Sequence, residues 1–367
     1  MSTLVSLRDP RRERLRALTP LVCGPPFGAF EGTSGDGDAN VYRACVGDVA
    51  GEASKITSFN DGGLTSEGCH NPVLSPDGSK ILFELSNPST GYQEIWVVSS
   101  TPGSGATQLL ADASNYYMHP WWHPDGDRFL CVHGSGGSFD GSIISTSVSD
   151  PGTVATLKST DGIYSPFRPQ FNFDGSRIAY MWDKQIGAGG ELRVMDPDGS
   201  NDSLLDTIDR YRFQGGQYSW ANAANKLAYD NGAGGVNTAY VINDDGTGKT
   251  QINANGVAAG ANVRVSDRAW PPGDGYVVVS SQCLGLQLTP VRAELDGSNT
   301  TALDATHGAS GTAHFRQVLV AGGRIWFIES SLLVVSIALA GGDYRVDLTI
   351  DGAAMNAFTT GDGWYYN

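Results

Sequence analysis

Three residue patterns in this chain have types and spacings suited to chemistry. His119 and His123 stand four apart in HPWWHPDG, with Trp121 and Trp122 between them. On an extended strand a period of two would put both imidazoles on one face. Zinc needs a third and a fourth ligand. None is evident locally, although His133 falls on the strand that follows, so structural histidines are expected. DPDGSND at 196–202 alternates Asp196, Asp198, Ser200 and Asp202 like an acidic calcium loop. A calcium hand also needs a later bidentate glutamate and a helix on each side, and both are missing. DDGTGKT at 244–250 ends like a phosphate loop, but Asn243 stands where the first glycine should be and QINANG follows in place of a helix.

Acidic turns recur. LDGSN at 295–299 and NDDGTG at 243–248 hold the same place as DPDGSND, so a hairpin turn is expected at each. SGDGDAN at 34–40 is a similar loop. No cofactor is expected, with calcium at these acidic turns as the alternative. No G-x-S-x-G or H-E-x-x-H occurs, and no catalytic residue is assigned.

The elements that position these residues follow a repeat. NPVLSPDGSKILF begins at 71, HPWWHPDGDRFLC at 119 and RPQFNFDGSRIAY at 168. Each has proline second and Asp-Gly seventh and eighth, then closes on an apolar run. A period near this length marks a propeller or solenoid. In the first unit Pro76, Asp77 and Gly78 make a turn, because proline presets φ, Asp bonds its own backbone and glycine accepts positive φ. Ile81-Leu82-Phe83 is the next strand, EIWVVSS at 94–100 the third and TQLL at 107–110 the fourth. Four antiparallel strands per unit are one propeller blade.

The later strands of the second unit are read at 142–159 and those of the third at 191–205; three more units start in a degenerate form at QYSWANAANKLAYD (217), at RAWPPGDGYVVV (268) and at HFRQVLVAGGRIWFIES (314), six in all. SLLVVSIALA at 331–340 is too short to span a bilayer and reads as a buried strand. The first strand of each blade lines the central channel. Its aligned openers are Asn71, His119, Arg168, Gln217, Asp267 and, nearby, His314, with His70 and Arg268 as neighbours. They are expected to form a polar ring at one channel mouth. The ring either binds a ligand or satisfies itself together with trapped water.

NPVLSPDGSKILF with EIWVVSS, HPWWHPDG, and RPQFNFDGSRIAY with LRVMDPDGS resemble the TolB-type, WD-like propeller repeat over roughly 70–205. The resemblance implies a propeller and no single function. Oligogalacturonate lyase is another seven-bladed propeller, with a metal-binding histidine cluster; the six histidines here do not match that cluster. The fold class is therefore all-β, a single β-propeller of four-stranded blades. Seven blades are expected, with six and eight as alternatives. NVYRACVGDV and EASKIT resemble the later strands of a blade and MNAFTTGDGWYYN the first two, so the N- and C-terminal strands would close the ring and remove its free edges.

Residues 1–18 form a basic arm and 19–367 the propeller. The formal charge is −15, but RDPRRERLR at 8–16 carries a local +3. The acidic remainder disfavours nucleic-acid binding. Arg8, Arg11, Arg12, Arg14 and Arg16 are candidates for docking on an acidic neighbouring subunit through guanidinium–carboxylate forks. MSTLVSLRDPRRERLRALTP puts charge where the apolar part of a secretory signal belongs. A cytoplasmic protein, or one carried outside by assembly in a virion, is expected. Tyr92, Tyr116, Tyr117, Trp121, Trp122 and Phe139 lie near turns and could anchor a protein or cell-surface glycan, although the tryptophans are expected to pack between blades. The five cysteines show no metal spacing and read as separate buried thiols, with a Cys23–Cys45 bridge as the exception. The reading is a non-catalytic binding or structural module among other protein subunits, such as a phage tail or head-surface protein. The alternative is a propeller enzyme, such as a polysaccharide lyase, with its site in the channel.

Overall fold

The repeats become sheets because each supplies four short apolar runs separated by residues that favour turns. The computed structural model describes residues 27–33, 39–45, 54–57, 68–87, 89–101, 103–135, 141–184, 189–209, 218–232, 236–266, 269–281, 289–303, 319–321, 324–330, 333–338 and 345–349. Among these no α-helix occurs. The first sheet has three strands, β1 (Phe27–Thr33), β2 (Ala39–Cys45) and β3 (Ser54–Lys55). Six four-stranded sheets follow, each antiparallel and in sequence order.

The second sheet is β4 (Cys69–Leu74), β5 (Lys80–Ser86), β6 (Gln93–Ser99) and β7 (Thr107–Leu110). The third is β8 (Asn115–Trp122), β9 (Arg128–Ser135), β10 (Ser142–Ser147) and β11 (Ala155–Ser159). The fourth is β12 (Tyr164–Phe171), β13 (Ile178–Lys184), β14 (Gly190–Met195) and β15 (Ser203–Ile208). The fifth is β16 (Tyr218–Trp220), β17 (Lys226–Asn231), β18 (Thr238–Asn243) and β19 (Thr250–Gln251), and the sixth is β20 (Val263–Arg264), β21 (Tyr276–Ser281), β22 (Thr289–Glu294) and β23 (Thr300–Ala302). The seventh is β24 (Leu319–Ala321), β25 (Arg324–Ser330), β26 (Leu333–Ala338) and β27 (Arg345–Thr349).

The core lies between consecutive sheets. Ile81, Phe83 and Val98 of the second sheet pack on Val41 of the first. Leu82, Ile95 and Val97 meet Trp122, Phe129 and Cys131 of the third. Leu130 and Ile143 meet Tyr180 and Trp182 of the fourth, and the pattern continues through the fifth and sixth. Both faces of β5, β9, β13, β17 and β21 are therefore buried, which is why those strands read as continuous apolar runs rather than alternating ones. The first strands β4, β8 and β12 touch in succession. Radial stacking of this kind is a β-propeller.

One element departs from the sequence reading. The fifth Asp-Gly unit was expected to start its first strand at Arg268, yet β20 sits earlier, at Val263–Arg264. The expected stretch still pairs: the Val278 N–H donates to the Ala269 carbonyl at 2.8 Å. A short irregular ladder replaces the continuous strand seen in the three strong repeats.

Candidate functional site

The repeated X-Pro opener sets the local geometry. Proline has no N–H to give to a ladder, so within a sheet it goes with a bulge. The register shifts between His70 and Val73, between Met118 and Trp121, and between Phe167 and Gln170. In each case the residue before proline is left-handed: Asn71 at φ 50°, His119 at 56° and Arg168 at 52°. Asparagine and histidine are enriched in that region among non-glycine residues; arginine there is held by its surroundings. All three side chains are buried, at 0%, 4% and 7% exposure. Gln217, Asp267, Arg268 and His314 lie outside the described residues, as do Arg8, Arg11, Arg12, Arg14 and Arg16. His70, on β4, is half-buried.

Asn71 and His119 share a carboxylate that the repeat pattern does not point to. Glu84 on β5 is fully buried. Its Oε1 accepts the Asn71 side-chain N–H at 2.5 Å and the His119 backbone N–H at 2.6 Å. One oxygen therefore joins the second sheet to the third. Asp230, at the matching place on β17, accepts the Val265 N–H at 3.1 Å and joins the fifth sheet to the sixth. The signal was present: an acid at the end of a buried apolar run, ILFE or LAYD, must find donors or be neutral.

His119 presents neither ring nitrogen to a hydrogen-bond partner. Its ring meets the Phe167 ring edge-on at 4.2 Å. Burial, with the Arg168 guanidinium nearby, holds its pKa well below the ordinary histidine value. It is thus a neutral imidazole at pH 7.

Tryptophans add a second inter-sheet tie. The Trp122 indole N–H donates to the Val73 carbonyl at 2.8 Å, Trp220 to Gln170 at 3.2 Å and Trp270 to Ser219 at 3.0 Å. Each reaches back one sheet. The fourth sheet has Phe171 at this position and no donor. Trp122→Phe is expected to cost about 1 kcal/mol beyond any packing loss, the net worth of one buried hydrogen bond. Phe171→Trp can gain it only if a carbonyl waits on β8. Urea melts of the two variants check this, and an unchanged midpoint for Trp122→Phe counts against the tie.

The remaining candidates fall into structural settings. His123 is buried against the Phe171 ring at 4.6 Å, and its Nδ1 lies 3.0 Å from Asp125. Despite the bulge between them, His119 and His123 both face β12, on aromatic rings that are themselves four residues apart. His133 stacks on Tyr117 at 4.5 Å and lies 3.7 Å from Asp112. In the turn at 196–202, Asp198 accepts the Ser200 N–H at 2.9 Å, Asp196 pairs with Arg177, and Asp202 accepts from Lys158, Tyr180 and Arg193. This is the expected hairpin, between β14 and β15. Burial, helped by Asp202, raises the Tyr180 pKa. Cys69 and Cys131 are buried thiols, the Cys69 Sγ 3.6 Å from the Thr57 hydroxyl; Cys23, and with it the bridge to Cys45, lies outside the described residues. Phe139 does too. Tyr116 and Trp122 are buried between sheets rather than displayed.

Solved structures of similar fold include oligogalacturonate lyase in complex with manganese, at 12% identity over 89% of this chain and 85% of that one, with a TM-score of 0.62. Puromycin hydrolase matches at 14% identity over 89% of this chain, with a TM-score of 0.64; this chain spans about half of that enzyme, 52%. TolB from Acinetobacter baumannii matches at 14% identity over 74% of this chain and 61% of its own, with a TM-score of 0.49. No family model matches the chain, and no curated protein matches it in sequence. At such identities the likeness to the lyase and the hydrolase shows the fold: this chain is a β-propeller. No helix among the described residues is long and apolar enough to cross a membrane.

Proposed function

We propose that this propeller is a non-catalytic module that binds a protein or glycan partner within a larger assembly. One observation carries the reading. The repeated polar openers Asn71, His119 and Arg168 are buried, and Asn71 and His119 are bound to a carboxylate that links two sheets. Polar groups spent on holding sheets together leave recognition to the loops, the usual carriers of function on a rigid scaffold. The same reading takes the ring as seven-bladed. The first sheet has three strands among the described residues, and a strand from 355–367 would complete it.

The partner is another subunit, reached through the arginine arm at 8–16; a phage tail or head surface is one such assembly. Deleting residues 1–17 is expected to abolish assembly, read by light scattering, and to leave the melting temperature unchanged. An assembly that survives the deletion ends this reading. A second reading has its own support in the likeness to oligogalacturonate lyase over most of that chain: a lyase with its site in the channel. Release of unsaturated sugar product from polyuronate by the purified protein would establish it in place of the first.

A further inference from the structure

The contact between the third and fourth sheets pairs histidines with phenylalanines. Two imidazoles from one sheet are seated on two phenyl rings of the next: His119 on Phe167 at 4.2 Å and His123 on Phe171 at 4.6 Å. Both histidines are buried. The turn of the fourth sheet closes over the second of them, since a Cβ on Gly175 would lie 2.1 Å from the His123 Nε2. We propose that this seam is an acid-sensitive latch, closed by neutral His119 and His123 and loosened when they take up protons. The latch is independent of which partner the propeller binds.

The charges around the two rings set the direction. Facing His119 are the Arg168 guanidinium from β12, itself over the Phe167 ring at 5.6 Å, and Glu84 from β5, whose Oε1 takes the His119 backbone N–H. An imidazolium here would sit against a phenyl ring with a second cation nearby. Facing His123 are Asp125 and Arg128 from its own turn, with Gly175 above it. Burial leads the depression of both pKa values; Arg168 adds to it at His119, and at His123 Arg128 adds while Asp125 opposes. Folded values below the ordinary 6.5 mean that the unfolded or opened state binds protons first. The seam's stability is therefore complete above about pH 6.5 and is lost as pH falls below it. The opening constant rises by up to about tenfold per pH unit for each histidine until the folded value is reached.

Hydrogen exchange on the full chain, corrected for the effect of pH on intrinsic rates, tests the latch. Between pH 7.5 and 5.0 the amides of β8 and β12 are expected to lose at least about tenfold in protection relative to those of β21 and β22. The double variant His119→Met, His123→Met, which keeps apolar volume but cannot charge, is expected to hold its protection at pH 5.0. Glu84→Gln is expected to retain the acid response, which separates the imidazoles from that carboxylate. An equal loss in all sheets, no loss, or a double variant as acid-labile as the native chain would overturn the proposal. Should the double variant not fold, histidine ring NMR of the native protein decides. Rings that stay neutral until protection falls support the latch. Rings that titrate at 6.5 with the seam intact overturn it.

Discussion

Glu84→Ala is expected to lower the unfolding free energy by about 3–5 kcal/mol, the largest loss for any single polar side chain in the described strands. Two buried donors depend on one oxygen: the Asn71 amide and the His119 backbone N–H. Hydrogen bonds to a charged group contribute about 1.5–3 kcal/mol each, and removing the acceptor leaves both donors buried and unpaired. Alanine also leaves a void beside Asn71, which has 0% exposure. Glu84→Gln keeps an acceptor oxygen but loses the charge assistance, so about half the loss is expected. Urea unfolding at pH 7.5 with an unchanged m-value is the measurement. A loss under about 1 kcal/mol for the alanine variant would mean that water replaces the carboxylate and that the two sheets do not depend on it. Asp230→Ala follows the same logic through its bond to the Val265 N–H.

The parts of this fold that were legible in the sequence were those fixed by local chemistry. The near-regular recurrence of the Asn71, His119 and Arg168 openers and the Asp-Gly turns behind them depends on φ preferences, and these are written residue by residue. TQLL at 107–110 became β7 without change. The site was less legible because it is made across sheets. That Asn71 and His119 share a direction could be read from alignment. That both reach Glu84, which lies 35 residues before His119, could not. The equivalent of Glu84 is Val132 in the third sheet and Met181 in the fourth, so the repeat itself conceals the position. The bulge was hidden for another reason. X-Pro marks a break in pairing, but only the partner strand decides that the extra residue turns inward. Period two alone would have placed His119 and His123 together without a cause. The structure keeps them on one side despite a bulge and gives each a phenyl ring.

The two turn glycines Gly126 and Gly175 allow backbone strain to be separated from packing at that same seam. They occupy matching places in consecutive repeats and have φ of 76° and 75°. An alanine at either pays the left-handed penalty, about 1–2 kcal/mol. A Cβ on Gly126 meets nothing within 4 Å, whereas on Gly175 it would lie 2.1 Å from the His123 Nε2 and 2.8 Å from its Cδ2. The imidazole has little room to retreat. Phe171 lies on one side of it, and its Nδ1 accepts the Asp125 N–H at 3.1 Å. Gly175→Ala should therefore lose about 2–5 kcal/mol in all, about 1–3 kcal/mol more than Gly126→Ala, the cost of forcing atoms into a packed seam. In a His123→Ala background the extra loss should vanish, because the atom in the way is gone; the coupling in that double-mutant cycle is the measured quantity. Equal losses at the two glycines would show that the turn of the fourth sheet can lift from His123 at no cost. The seam would then be loose at neutral pH, and the two histidines would have nothing to hold closed.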